Sequence, residues 1–320
     1  MKKGLVSICI PTYKRPDYLQ KAITSALNQT YTHCEIIITD NDDSRKTLEP
    51  LLKRNKTIRY YKNKKNIGSV NNLQQAASFA RGEYIKFLLD DDLLYPTCIE
   101  KMVSVMEKSP SVGLVMAPLD IIDEKGEKCE PLFYLVKKMK YLYRYLNISM
   151  RIPKEKILKD FLTTVYPCCV PTGFMVRNSL FKQVGGLKST WSYVADLELC
   201  MHCATHSDFY YINEVLSSWR YTPSSETVSI LHKKGVNPAV FYRLTKKYSV
   251  YCKGDRQKAY LFASKRTAIN ISAGIKTFNF SLVIKTIKTI FENDPYIMNK
   301  LILPFSLLEE VLAAQKNEAL

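Results

Sequence analysis

The chain has 320 residues, and none of its apolar runs approaches the eighteen or so residues that a membrane-spanning helix needs, so any membrane contact is expected to be peripheral. The apolar stretch near its start, Leu5 to Ile10, is shorter than the core of a secretory signal and stops at Pro11 and Lys14, which makes it a first strand. No Gly-x-Gly-x-x-Gly follows that strand and no Gly-Lys-Ser/Thr occurs, which excludes the ordinary dinucleotide and phosphate-loop proteins. Phosphates must then be held through metal. The nine cysteines are odd in number and without repeating spacing, which fits buried thiols of a reduced cytosolic protein and not a disulfide framework. Cys200, His202, Cys203 and His206 lack a second ligand pair at zinc-finger spacing, and Leu197, Cys200, Met201 and Ala204 read as a packed helical stripe. There is no internal repeat. Acidic residues are in deficit, 30 against 47 Lys and Arg, and the net charge of +17 suggests a polyanion, an anionic membrane surface or a phosphate-bearing substrate.

What is present is an alternation of strands and helices. The Leu5 to Ile10 strand leads through Pro11-Thr12-Tyr13-Lys14-Arg15 into a helix opened by Pro16, with Leu19, Ala22, Ile23, Ala26 and Leu27 at helical spacing. Glu35 to Thr39 is a second strand ending in the polar loop Asp40 to Ser44. A third strand near Thr57 to Tyr61 runs into Lys62 to Gly68, whose lysines are either solvated or facing a diphosphate. A helix carrying Leu73, Ala76, Ala77 and Ala80 follows, then a strand from Glu83 to Leu89, a helix with Ile99, Met102, Val103 and Met106 inward, and a strand from Val112 to Ala117. Strands that alternate with helices and end in polar loops predict an α/β fold with a mostly parallel sheet covered on both faces.

The Glu83 strand ends in Asp90-Asp91-Asp92. Three neighbouring carboxylates at the carboxyl edge of such a sheet repel one another, and a hard divalent cation that also bridges phosphate oxygens relieves the repulsion.

Taken in order, Val6 to Tyr13, Gln29-Thr30-Tyr31, Glu35 to Asp40, Asn66-Ile67-Gly68, Gly82 to Ile85, the triple aspartate, Pro171 to Arg177, Val184-Gly185-Gly186 and Asp196 to Leu199 resemble the inverting nucleotide-sugar glycosyltransferases of family 2, with the GT-A fold. The resemblance covers about residues 5 to 222. It implies a Rossmann-like GT-A catalytic domain at 1–222, with a nucleotide-binding half at about 1–118, a basic amphipathic insert at about 130–159 and an acceptor half at about 160–222. A C-terminal helical region at 223–320 follows. By the same resemblance Pro11, Thr12, Tyr13, Arg15, Asn66, Gly68, Asp90 and Asp91 hold the nucleotide, and Asp40 accepts from a uracil or thymine imide. Asp91 and Asp92 bind Mn or Mg. Asp196 is the general base that deprotonates an acceptor hydroxyl as it attacks the anomeric carbon, with Glu198 as its rival. Gly173, Glu198 and Arg220 are candidates for acceptor or phosphate contact. The sequence departs from the commonest family pattern at Leu89, Asn41, Ala195 and Thr222, where acidic residues or a metal-binding His are frequent. These departures leave open which aspartate of the triplet holds the metal.

The implied reaction moves a sugar from a UDP-sugar, or a TDP-sugar, to a glycan or lipid-linked oligosaccharide in bacterial surface polysaccharide synthesis. The expected place is the cytoplasm, with membrane association on the cytoplasmic face. Residues 137 to 159 carry eight Lys or Arg and one acidic residue, and Leu135, Met139, Leu142 and Leu146 share a helical face, a pattern suited to anionic lipid. Residues 232 to 320 hold fifteen Lys or Arg against six acidic residues and read as helices that could dock on the catalytic domain, a second subunit or a membrane. Two rival readings are a basic nucleic-acid-binding protein, for which only salt-dependent, nonspecific affinity is expected, and a non-catalytic binder of nucleotide sugars.

Overall fold

The computed structural model describes residues 1–129, 148–163, 170–188, 194–222 and 238–251. The apolar helical face expected at Leu135 to Leu146 and the C-terminal helices beyond 251 lie outside the described residues. The chain divides into two compact units, Met1–Phe161 with Val165–Pro223, and Leu162–Thr164 with Ser224–Leu320.

In the first unit β1 (Lys2–Thr12), α1 (Pro16–Leu27), β2 (Cys34–Asp40), α2 (Arg45–Arg54), β3 (Ile58–Lys62), α3 (Ser69–Ser78) and β4 (Gly82–Phe87) come first. There follow β5 (Leu93–Leu94), α4 (Cys98–Lys108), β6 (Val112–Met116), β7 (Leu119–Ile122), β8 (Met150–Ile152), α5 (Lys154–Thr163), β9 (Phe174–Arg177), α6 (Asn178–Gln183), α7 (Ala195–Ala204), β10 (Asp208–Tyr211) and β11 (Ser217–Arg220). Apart from the last two residues of α5, the described residues of the second unit form α8 (Pro238–Tyr248) and a short turn of 3-10 helix.

Eight strands make one sheet in the order β3-β2-β1-β4-β9-β6-β10-β8. β1 is parallel to β2 and β4, β2 to β3, and β10 to β6, while β9 and β8 run the other way. The expected mostly parallel α/β sheet is therefore present, and six of its strands point their carboxyl ends at one edge. The inner strands are mostly apolar because both faces are covered: every residue from Leu5 to Ile10 is buried, Ser7 being the polar exception, and Ile36 to Ile38 likewise, while β4 also buries Lys86. One face packs Val6, Ile8, Ile36 and Tyr84 against α1 and α4 through Leu19, Ile23, Ile99, Met102 and Met106. The other carries Phe87 against Phe174 and Phe181, the last from α6. At the closest approach of β4 to β1, a Cβ on Gly82 would lie 2.4 Å from the Leu5 carbonyl oxygen, so only glycine fits there.

The elements not expected include β8, β9, β10, α5 and α6, and helix α2, which is largely solvated and fully buries only Leu48. A second, three-stranded sheet, β5-β11-β7, sets the Trp219-Arg220 segment beside the chain that leaves the aspartates.

Candidate active site

Each functional loop leaves the carboxyl edge of the sheet, so register decides who meets whom. Thr12 and Asp40 are partners across β1 and β2, and Asp40 and Lys62 across β2 and β3. Behind these loops lies a net of amides. Asn72 of α3 donates to the carbonyls of Thr12 and Thr39, and Asn63 donates to the side-chain oxygens of Asn41 and Asn72 at 2.9 Å. The Asn41 oxygen also accepts from the Ile67 N–H, and the Asn66 side chain accepts from Gly68 N–H at 2.9 Å. Gly68, with φ of 84°, caps α3 with nothing near the place of its missing Cβ. Asn63 and Asn72 lack any sequence signal of this role, because it depends on three loops meeting.

Asp40 is fully buried. One of its oxygens accepts from the Asp42 N–H and the other from the Ser44 N–H and the Tyr60 hydroxyl, all within 2.8 Å. Its carboxylate shapes its own loop. Lys62 pairs at 2.6 Å with Asp43, both exposed.

The acidic triplet divides three ways. Asp90 accepts from the Thr12 hydroxyl at 2.7 Å and the Tyr13 N–H at 3.4 Å, which ties the triplet to the end of β1. Asp92 is fully buried, one oxygen taking the Thr172 hydroxyl and the other the Arg220 N–H at 2.9 Å. Asp91 meets Arg15, whose Nη1 stands 2.6 Å from one carboxylate oxygen and 3.7 Å from Asp90. Burial raises the pKa of all three, and the charge of Asp91 raises Asp90 and Asp92 further; Thr12 and Arg15 oppose this at Asp90, Arg15 at Asp91, and Thr172 with the Arg220 N–H at Asp92.

Thr172 sits in the 3-10 turn Pro171–Gly173 and holds both ends of the triplet, since its hydroxyl also accepts from the Leu89 N–H at 3.2 Å. Its own carbonyl accepts from the buried Lys86 ammonium and from Ser217. Gly173 is buried beside it, its carbonyl accepting from Ala117. Arg220 is 1% exposed; Nε donates to the Asp91 carbonyl at 2.7 Å, Nη1 to the carbonyls of Asp123 and Glu124, and the guanidinium lies 4.8 Å from the Tyr18 ring centroid. Thr172 and Lys86 were not expected as site residues. No local pattern marks them, because their partners lie about eighty residues away in sequence.

Tyr13 is 42% exposed, with the Lys14 ammonium 5.2 Å from its ring centroid. Asp196 lies in the first turn of α7, half-buried, and desolvation of its carboxyl pushes its pKa up to about 7, against the Leu197 N–H that it accepts. Helix α7 runs through a three-residue turn into β10, which is parallel to β6. Glu198 is half-buried two residues along from Asp196, in the same first turn of that helix.

Among the described residues no three His, Cys, Asp or Glu side chains converge as a metal cage. Asp91, buried and paired with the part-exposed Arg15, still suits the hard-cation pattern in which one or two carboxylates share the ion with substrate phosphates.

The family model for glycosyl transferase family 2 matches residues 7–185. An uncharacterized glycosyltransferase of Rickettsia typhi is 27% identical over 305 residues, covering 89% of this chain and 91% of that protein. One of Methanocaldococcus jannaschii is 34% identical over 171 residues, half of this chain and 59% of that protein. Among solved structures, residues 1–349 of Staphylococcus aureus TarS in complex with UDP-GlcNAc align over 95% of this chain and 84% of that one, with a TM-score of 0.65 at 17% identity. The same TarS segment with UDP aligns with a TM-score of 0.54 at 12% identity.

Proposed function

The chain belongs to glycosyl transferase family 2 and has the GT-A fold, and from that premise we propose that it transfers a sugar from a nucleoside diphosphate, UDP in the first instance, to an acceptor hydroxyl with inversion. The observation that carries this reading is the joining of the β1 loop to the acidic triplet through Thr12 and Asp90. The UDP-GlcNAc bound by TarS supports the nucleotide without fixing the sugar.

In this reading Tyr13 offers an exposed ring to the base, and the open surface at Gly68 lets a phosphate approach the amino end of α3. Asp90, held by Thr12 and Tyr13, faces the ribose. Asp91 would hold Mn or Mg, and Asp92 is the buried anchor that fixes the loop in place. When bound, the cation supplies charge neutralisation on the diphosphate leaving group. Arg220 stiffens the loop from beneath through the Asp91 carbonyl. Asp196 takes the acceptor's proton. A carboxylate with a pKa of about 7 is a far better base than an ordinary aspartate, and it is about half ionised at neutral pH and largely ionised at slightly alkaline pH. Residues 1–222 form the catalytic part in this account, and the acceptor is a glycan or a lipid-linked oligosaccharide. The net charge of +17 favours an acceptor presented at an anionic surface.

The test is turnover of a panel of UDP- and TDP-sugars by the purified protein with Mn or Mg, followed as release of nucleoside diphosphate. Release abolished by Asp196→Asn supports the reading. A panel that leaves every donor intact would overturn it, and nucleotide binding without release would favour the non-catalytic binder.

A further inference from the structure

The two arginines at the acidic loop are held in opposite ways. Arg220 is buried, and its guanidinium is spread over three backbone carbonyls, so it is a permanent part of the loop. Arg15 is 32% exposed at its side chain, against 10% for the carboxylates it meets, and its ion pairs are to Asp91 and Asp90. It stands just ahead of α1, and the residue before it, Lys14, has φ of 57°, a left-handed conformation that a lysine adopts at a cost. That bend turns the chain back so that Arg15 faces the triplet.

We propose that Arg15 is an exchangeable counter-ion of the acidic loop: it neutralises Asp91 when no donor is bound, and it moves to the diphosphate when a divalent cation takes its place on Asp91. This rests on the functional reading above. A guanidinium and a divalent cation repel each other and compete for the same carboxylate oxygen, so Arg15 opposes binding of the cation alone. A diphosphate gives the guanidinium a new anionic partner, with planar, two-pronged geometry suited to phosphate oxygens. The two ligands are then coupled, each favouring the other by the same factor. Free metal is kept out, and the donor arrives with its cation.

The experiment is a calorimetric titration of Mn2+ into the full chain without nucleotide, for the wild type, Arg15→Gln and Arg15→Lys, followed by UDP at saturating Mn2+. Removal of a competing, charge-assisted pair between the part-exposed Arg15 and a buried carboxylate is expected to tighten Mn2+ binding by about five- to tenfold in R15Q. UDP binding at saturating Mn2+ should weaken in R15Q by about tenfold, the size of one charge-assisted contact. R15K keeps the charge and should bind nucleotide-free Mn2+ within about twofold of the wild type. Unchanged or weaker Mn2+ binding by R15Q overturns the inference, as does an R15K gain equal to that of R15Q. Failure of the wild type to bind UDP with Mn2+ would instead sink the functional reading, whatever Arg15 does.

Discussion

Thr172→Val removes one oxygen and changes almost nothing in shape, at a fully buried position. The lost hydroxyl accepts from Leu89 N–H at 3.2 Å and donates to Asp92, the aspartate with no solvent access. Stranding one carboxylate oxygen in the interior costs about 1–3 kcal/mol, and the half-buried Leu89 amide adds less because water reaches it in part, so the total is about 2–4 kcal/mol. In a unit of roughly two hundred residues that lowers Tm by about 4–16 °C. Urea denaturation gives the free energy directly, with Thr172→Ser as the control that restores the hydroxyl. In a double-mutant cycle with Asp92→Asn, the two positions should couple by about 1 kcal/mol or more. UDP binding should weaken in step, because the same hydroxyl fixes both ends of the triplet. A T172V protein within about 0.5 kcal/mol of wild type, or a T172S protein as unstable as T172V, would refute this account of the loop.

Asp196→Asn should abolish turnover, and wild-type kcat/KM should rise about tenfold per pH unit until it levels near pH 7, where Asp196 loses its proton. The stability consequence has the opposite slope. A carboxyl whose folded pKa is about 7 contributes stability that is intact below its unfolded pKa, about 3.9, and is lost as pH rises through 7. D196N should therefore melt above the wild type at pH 8, with a gap that closes toward pH 4; a gap constant with pH would contradict this. Arg220→Met should destabilise by about 3 kcal/mol or more in urea, since it strands the carbonyls of Asp91, Asp123 and Glu124. Gly82→Ala places a carbon 2.4 Å from the Leu5 carbonyl oxygen and must push β1 and β4 apart, so a loss of about 2 kcal/mol or more is expected by the same assay.

The sheet was legible because its inner strands are mostly apolar on both faces and β1 to β4 end in recognisably polar loops. Helix α2 was not read, because it is short, mostly polar and carries Pro50, although Leu48, Leu51 and Leu52 stand at helical spacing. Nor was the small sheet, whose strands span two to four residues, too few for a period to form. At the site the three aspartates were visible as a group, yet their separate roles were not. What distinguishes Asp92 from Asp91 is the arrival of Thr172 and of the Arg220 N–H from distant parts of the chain, and only the topology brings those together. Arg220 was noticed as a charge near the site, whereas its engagement with buried carbonyls depends on β11 pairing with β5 and β7. Asp40 likewise stood out by position, while the hydrogen bonds that occupy it come from its own loop and from Tyr60 on the next strand.

The account turns on Asp91 meeting a diphosphate through a divalent cation. Calorimetric titration of UDP into the wild type and into Asp91→Asn, each with and without Mn2+, tests this most directly. Saturable UDP binding by the wild type that needs Mn2+ and is lost in a normally folded D91N protein is the predicted result. Binding of equal strength without the cation, or undiminished in D91N, would contradict it.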